Sequence, residues 1–187
     1  MKHVFDLPTS VEFGGRRWEI NTDFRDVLLI LEAFEDPDLT EWEKALICIR
    51  NLYKSRDIPP EQTQAAFDAA LEFIDHFSAK DDGHSPRTMD WTQDGPLIFP
   101  AVNRVAGFET RSAEYIHWWT FMGWFMEIRD STYATVLGLR NKKTRGKKLE
   151  KHEQEFWREN KGICELKTRY TEEELAEQER LRSIIGG

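Results

Sequence analysis

The segment Tyr115-Ile-His-Trp-Trp-Thr-Phe-Met-Gly-Trp-Phe-Met constrains this chain more than any other. Read as a helix from Ala113 to Ile128, capped by Ser112, it is apolar almost all round. Such a helix is stable only at the centre of a core or under a partner. The other elements must therefore be long and apolar enough to surround it. Hydrophobic residues make up 40% of the 187 and aromatic residues 12%, which is sufficient for one core and excludes a disordered chain.

The surrounding elements are readable. Thr9 to Phe13 and Arg16 to Ile20 alternate apolar and polar residues and are joined by Gly14-Gly15. This spacing predicts a β-hairpin, because a two-residue primed turn needs positive φ. The period then becomes helical. Phe24, Val27, Leu28, Leu31 and Phe34 share one face after Asn21 or Thr22 as cap, and Asp36-Pro37 ends that helix. Thr40 and Glu43 form a capping box before Trp42, Ala45, Leu46, Ile49 and Leu52. Pro59-Pro60 opens a third helix with Phe67, Ala70, Leu71, Ile74 and Phe77 inward.

Residues 78–88 are polar and contain Gly and Pro, and read as a flexible loop. A helix from Asp90 to about Ala106 follows, kinked or delayed by Pro96 and Pro100 and closed by Gly107. A short helix through Leu139 leads to a basic strip. Residues 149–160 are amphipathic on Leu149, Phe156 and Trp157. Thr171 and Glu174 form a second capping box, opening a sparsely apolar helix to Ile185. The expected fold class is mainly α, five to seven helices with a small N-terminal hairpin. The expected divisions are 1–77 (hairpin plus helices), 78–88 (loop), 89–160 (aromatic core and basic strip) and 161–187 (C-terminal extension).

Chemistry is sparse. The chain holds no G-x-S-x-G, Walker A, G-x-G-x-x-G or H-E-x-x-H pattern. Glu114 and His117 form one Glu-x-x-His pair, but no second pair accompanies it as a di-iron site requires. His117 therefore reads as a hydrogen-bonded core imidazole. Asp90 and Asp94 read as acids of a first helical turn, complementing the macrodipole. Cys48 reads as a core residue and Cys164 as a more exposed one. Two cysteines exclude a disulfide-dense scaffold and suit a reducing compartment. The expectation is a chain without enzymatic activity, cofactor or metal. No run approaches the ~18 apolar residues of a membrane span, and Met1 to Asp6 lack the apolar stretch of a secretory signal.

Charge is unevenly placed. The formal net charge is −8, yet Arg140 to Lys151 holds seven basic residues and one acid. That strip carries +6 on a body of −14. Basic clusters gain affinity for phosphates by counterion release. The acidic body and the Gly146 break argue against nucleic acid and favour docking to an acidic protein. The candidate partner-binding residues are the rings Trp118, Trp119, Trp124 and Phe125, and the cations Arg140, Lys142, Lys143, Arg145, Lys147 and Lys148.

Four blocks carry a resemblance. They are Ile20-Asn-Thr-Asp-Phe-Arg-Asp, Asp90-Trp-Thr-Gln-Asp-Gly-Pro-Leu-Ile-Phe, Ile116-His-Trp-Trp-Thr-Phe-Met, and the basic block from Leu139 to Asn160. In this order, over roughly residues 4 to 165, the chain resembles the bacteriophage tail protein family named after gene product fifteen of a Listeria phage. The resemblance implies a product of the tail module of a siphophage or prophage, without catalytic residues. It implies a tail assembly chaperone in the host cytoplasm, with the tape-measure and tail tube proteins as partners; self-association is a separate expectation. A structural component of the tail and a nucleic-acid-binding accessory protein are the alternatives.

Overall fold

A computed structural model describes residues 3, 5–76 and 86–185. The fold is mainly α with one two-stranded antiparallel hairpin. Strands β1 (Ser10–Phe13) and β2 (Arg16–Glu19) pair in the register Ser10 to Glu19 and Phe13 to Arg16. Gly14 and Gly15 take φ of 57° and 70°, the left-handed conformation that the turn requires.

Nine α-helical segments follow among the described residues, more than expected because the C-terminal third is broken into short pieces. Helices α1 (Phe24–Phe34), α2 (Glu41–Leu52) and α3 (Thr63–Ile74) form the first half. Helices α4 (Trp91–Ala106), α5 (Trp118–Met126) and α6 (Thr132–Thr144) form the second. The short α7 (Lys151–Glu159) and α8 (Lys161–Cys164) precede α9 (Glu172–Ile185). No described helix is long and apolar enough to cross a membrane. Most of the expected loop 78–88 lies outside the described residues; only 86–88 are described, as irregular chain.

Helix α1 is central and packs on α2, α4 and α5. Phe24 and Phe121 stack at 4.5 Å with rings 6° from parallel. One cluster of buried residues runs from Phe13 in the hairpin to Tyr133 in α6. Burial of its aromatic and aliphatic side chains supplies the main folding drive, at about 1.5–3 kcal/mol each.

Several expectations are corrected by tertiary contacts. The aromatic helix is only nine residues long. Residues 113–117 are not helical, because their backbone is used elsewhere: Phe24 N–H donates to Ile116 O at 2.9 Å and Trp118 N–H to Thr22 O at 2.7 Å. The helix cap is therefore His117 and not Ser112. Asp23, not Asn21 or Thr22, caps α1. Trp42 is 61% exposed rather than inward. It lies roughly 100° around α2 from the midpoint of Cys48 and Leu52, the buried residues of that helix.

Helix α4 begins at Trp91 and runs unbroken through Pro96 and Pro100. The carbonyls deprived of a partner belong to Thr92 and Pro96, both exposed, so water can satisfy them. Gly107 closes α4 with φ 82°, as its spacing predicts. Helix α6 runs five residues beyond Leu139, into the basic strip.

Candidate interaction surface

The rings of α5 are spread between interior and rim. Trp118 is buried and its Nε1 donates to Ile74 O at 3.0 Å, so it is a core residue and not a contact surface. Trp119 is half-buried; its Nε1 donates to Phe73 O at 3.0 Å, and its ring stacks on His76 at 3.7 Å. Trp124 is half-buried and meets the exposed Phe108 edge-on at 5.7 Å. Phe125 is half-buried between Trp91 and Tyr133. The exposed apolar surplus lies at the ends of this region, in Phe108, Tyr115 and Met126.

His117 explains its own position. Its Nδ1 accepts from Trp119 N–H at 3.0 Å, so Nε2 carries the proton and donates to Pro8 O at 2.9 Å. Burial pushes the imidazole pKa down, and the Pro8 contact opposes that only in part. Both ring nitrogens are occupied, and the neighbouring Glu114 is exposed. Among the described residues no group of three or more His, Cys, Asp or Glu is placed to hold a metal ion.

The basic strip divides in two. Arg140 is buried and belongs to the interior, which removes it from the docking set. Its NH1 and NH2 donate to Asp94 Oδ2 and Oδ1 at 2.7 and 2.8 Å. It also donates to the carbonyls of Thr88, Ile163 and Cys164. Charge-assisted bidentate bonds of this kind are strong and directional. Here they join α4, α6 and α8. Cys164 is consequently buried, and burial pushes its thiol pKa up.

Lys142 pairs with Glu153 of α7, which raises the lysine pKa and lowers that of the carboxylate. Lys143 Nζ lies 3.9 Å from the Trp157 ring centroid. Arg145, Lys147 and Lys148 remain. They are exposed and make no ion pair among the described residues. Gly146, at φ 66°, turns the chain there, so these cations project from the α6–α7 connection.

A second set of charges was not anticipated. Arg169 pairs with Glu35 at 2.8 Å and Asp90 at 2.9 Å, and Arg87 also pairs with Asp90. The Gln93 side chain donates to Glu165 O and accepts from Lys167 N–H. Residues 165–171 are thus strapped across α1 and α4. Glu172 N–H then reaches Asp38, and α9 departs with residues 172–177 exposed and Leu175 at 48%.

The model of the family described as bacteriophage Gp15 protein matches residues 4–166. No curated protein and no solved structure matches the chain.

Proposed function

The chain belongs to the bacteriophage Gp15 protein family, and from that premise we propose that it is a tail assembly chaperone. It acts without catalysis in the host cytoplasm, on the tape-measure and tail tube proteins. The observation that carries this reading is α9. It is a capped helix of 14 residues whose first six side chains are exposed. A helix of that length is marginal in water unless one face is covered. The strap that fixes its start holds it ready for a partner. Arg145, Lys147 and Lys148, exposed and without an ion pair among the described residues, supply steering toward an acidic partner segment.

Co-expression with the tape-measure protein of the same phage is the test. The expected result is a soluble complex that is lost when the chain is cut after Thr171, together with absence of this protein from purified virions. If it neither co-purifies with the tape-measure protein nor changes its solubility, and is stoichiometric in mature particles, it is a structural tail component. If it shifts duplex DNA at physiological salt, and reversal of Arg145, Lys147 and Lys148 to Glu abolishes the shift, the nucleic-acid reading replaces both.

A further inference from the structure

The chain past α8 is held in two different ways. Up to Cys164 it is anchored in the interior. Arg140 donates to Ile163 O at 2.7 Å and to Cys164 O at 2.9 Å, and Cys164 is fully buried. Glu165 N–H still closes α8 on Lys161 O. From Leu166 to Tyr170 no backbone group bonds another backbone group among the described residues. Leu166 is half-buried, Tyr170 is exposed, and neither belongs to the core cluster. A cleft of about 600 Å³ separates Leu166 to Arg169 from Phe34 and Glu35 at the end of α1, so the strap is not closely packed on that helix. A segment with so little buried apolar surface opens at low free energy, independently of the core.

What holds the strap is polar. Lys167 N–H donates to Gln93 Oε1 at 2.9 Å, Arg169 reaches Glu35 and Asp90, and Glu172 N–H donates to Asp38 at 2.8 Å. Taking the partner from a buried carboxylate is normally costly. Asp90, 3% exposed, escapes that cost because it is shared. Arg87 pairs with the same oxygen as Arg169, and Gln93 N–H donates to the other one. Glu35 is only half-buried, so water can replace Arg169 there.

We propose that residues 165–171 form a latch that opens as a unit, hinged at Glu165 and pinned by Arg169 on Glu35 and Asp90. Closed, it parks the start of α9 beside Asp38, just after α1. Open, it frees a stretch that spans at most roughly 23 Å, and α9 searches that radius from a fixed hinge. A tethered helix with that reach meets a partner more often than a parked one. The latch is a property of this chain alone. Its test needs no partner, and its failure leaves the chaperone reading where it stands.

The test is amide solvent exchange by NMR on the full chain. The Lys167 and Glu172 amides open together and far more often than the amides of α4. Arg169→Met, which keeps the alkyl stem, speeds both about tenfold and leaves Glu165 N–H unchanged. Raising NaCl from about 50 to about 500 mM speeds both in wild type, because part-exposed ion pairs are screened, and does little in Arg169→Met. Arg87→Met acts in the opposite direction and slows both, since Asp90 then depends on Arg169. A spin label at Glu173→Cys broadens the Asp38 amide in the wild-type background and much less with Arg169→Met; the native cysteines are buried and take no label. The proposal is overturned if Lys167 and Glu172 exchange as slowly as α4, or respond unequally to Arg169→Met. It also falls if Glu165 and α4 amides accelerate with them, if Arg87→Met speeds the strap, or if the spin-label broadening survives Arg169→Met.

Discussion

Asp94→Ala should be among the most damaging single changes in this protein. The Asp94 and Arg140 side chains are 2% and 3% exposed and meet through two bonds of 2.7 and 2.8 Å. Removing one member of a buried pair leaves the other charge uncompensated, at a cost of about 3–5 kcal/mol. For a chain of this size each kcal/mol lowers the thermal midpoint by roughly 2–4 °C, so the shift should be roughly 6–20 °C. Arg140→Met should cost at least as much, because it also strips donors from the carbonyls of Thr88, Ile163 and Cys164. The double variant Asp94→Leu with Arg140→Met should cost less than the sum of the singles, yet remain below wild type, since those carbonyls stay unsatisfied. Urea denaturation at fixed pH gives the energies. Hydrogen exchange gives the location: α8 amides should open faster in Arg140→Met than in Asp94→Leu. A midpoint for Asp94→Ala within the ~0.5 kcal/mol typical of surface changes would refute the buried pair and the tie it makes.

Three further outcomes are expected. Trp118→Ala should cost about 3–5 kcal/mol by urea denaturation, and Trp119→Ala less, since Trp119 is half-buried and Trp118 is 1% exposed. Reversing Arg145, Lys147 and Lys148 to Glu should leave the midpoint within about 0.5 kcal/mol per site, whereas Lys142→Glu should lower it by opposing Glu153. His117 has a lowered pKa in the fold, so the unfolded chain takes its proton first. Its contribution is complete above the ordinary value of 6.5 and is lost as pH falls through the folded value. Thermal midpoints measured from about pH 7.5 down to about pH 5 should show this loss, and His117→Asn should remove it while its side-chain oxygen keeps the Trp119 amide capped.

What was legible in the sequence is what short-range chemistry decides. Gly14-Gly15 fixes the hairpin, Thr40 with Glu43 fixes the start of α2, and Gly107 fixes the end of α4, because each acts within four residues. The start of α5 escaped, since residues 113–117 are drawn out of helix by pairing with 22–24, more than ninety positions away in the chain.

The basic strip shows how a charge count conceals two roles. As a block it reads +6 and suggests one docking surface. Helical phase sorts it instead. Arg140 lies four residues after Val136 and seven after Tyr133, both buried, so it continues the inward stripe of α6. That spacing was visible, but stopping the helix at Leu139 hid it. Asp94, its partner, was visible only as a first-turn acid, because the pairing spans 46 positions. Lys142 and Lys143 then fall on the flank facing α7, where Glu153 and Trp157 engage them. Past the last helical turn, around Gly146, the cations of the strip make no ion pair among the described residues. A positively charged surface in this protein therefore begins at Arg145. A docking surface drawn from the whole strip would include an arginine whose removal acts on stability, and would mistake unfolding for loss of binding.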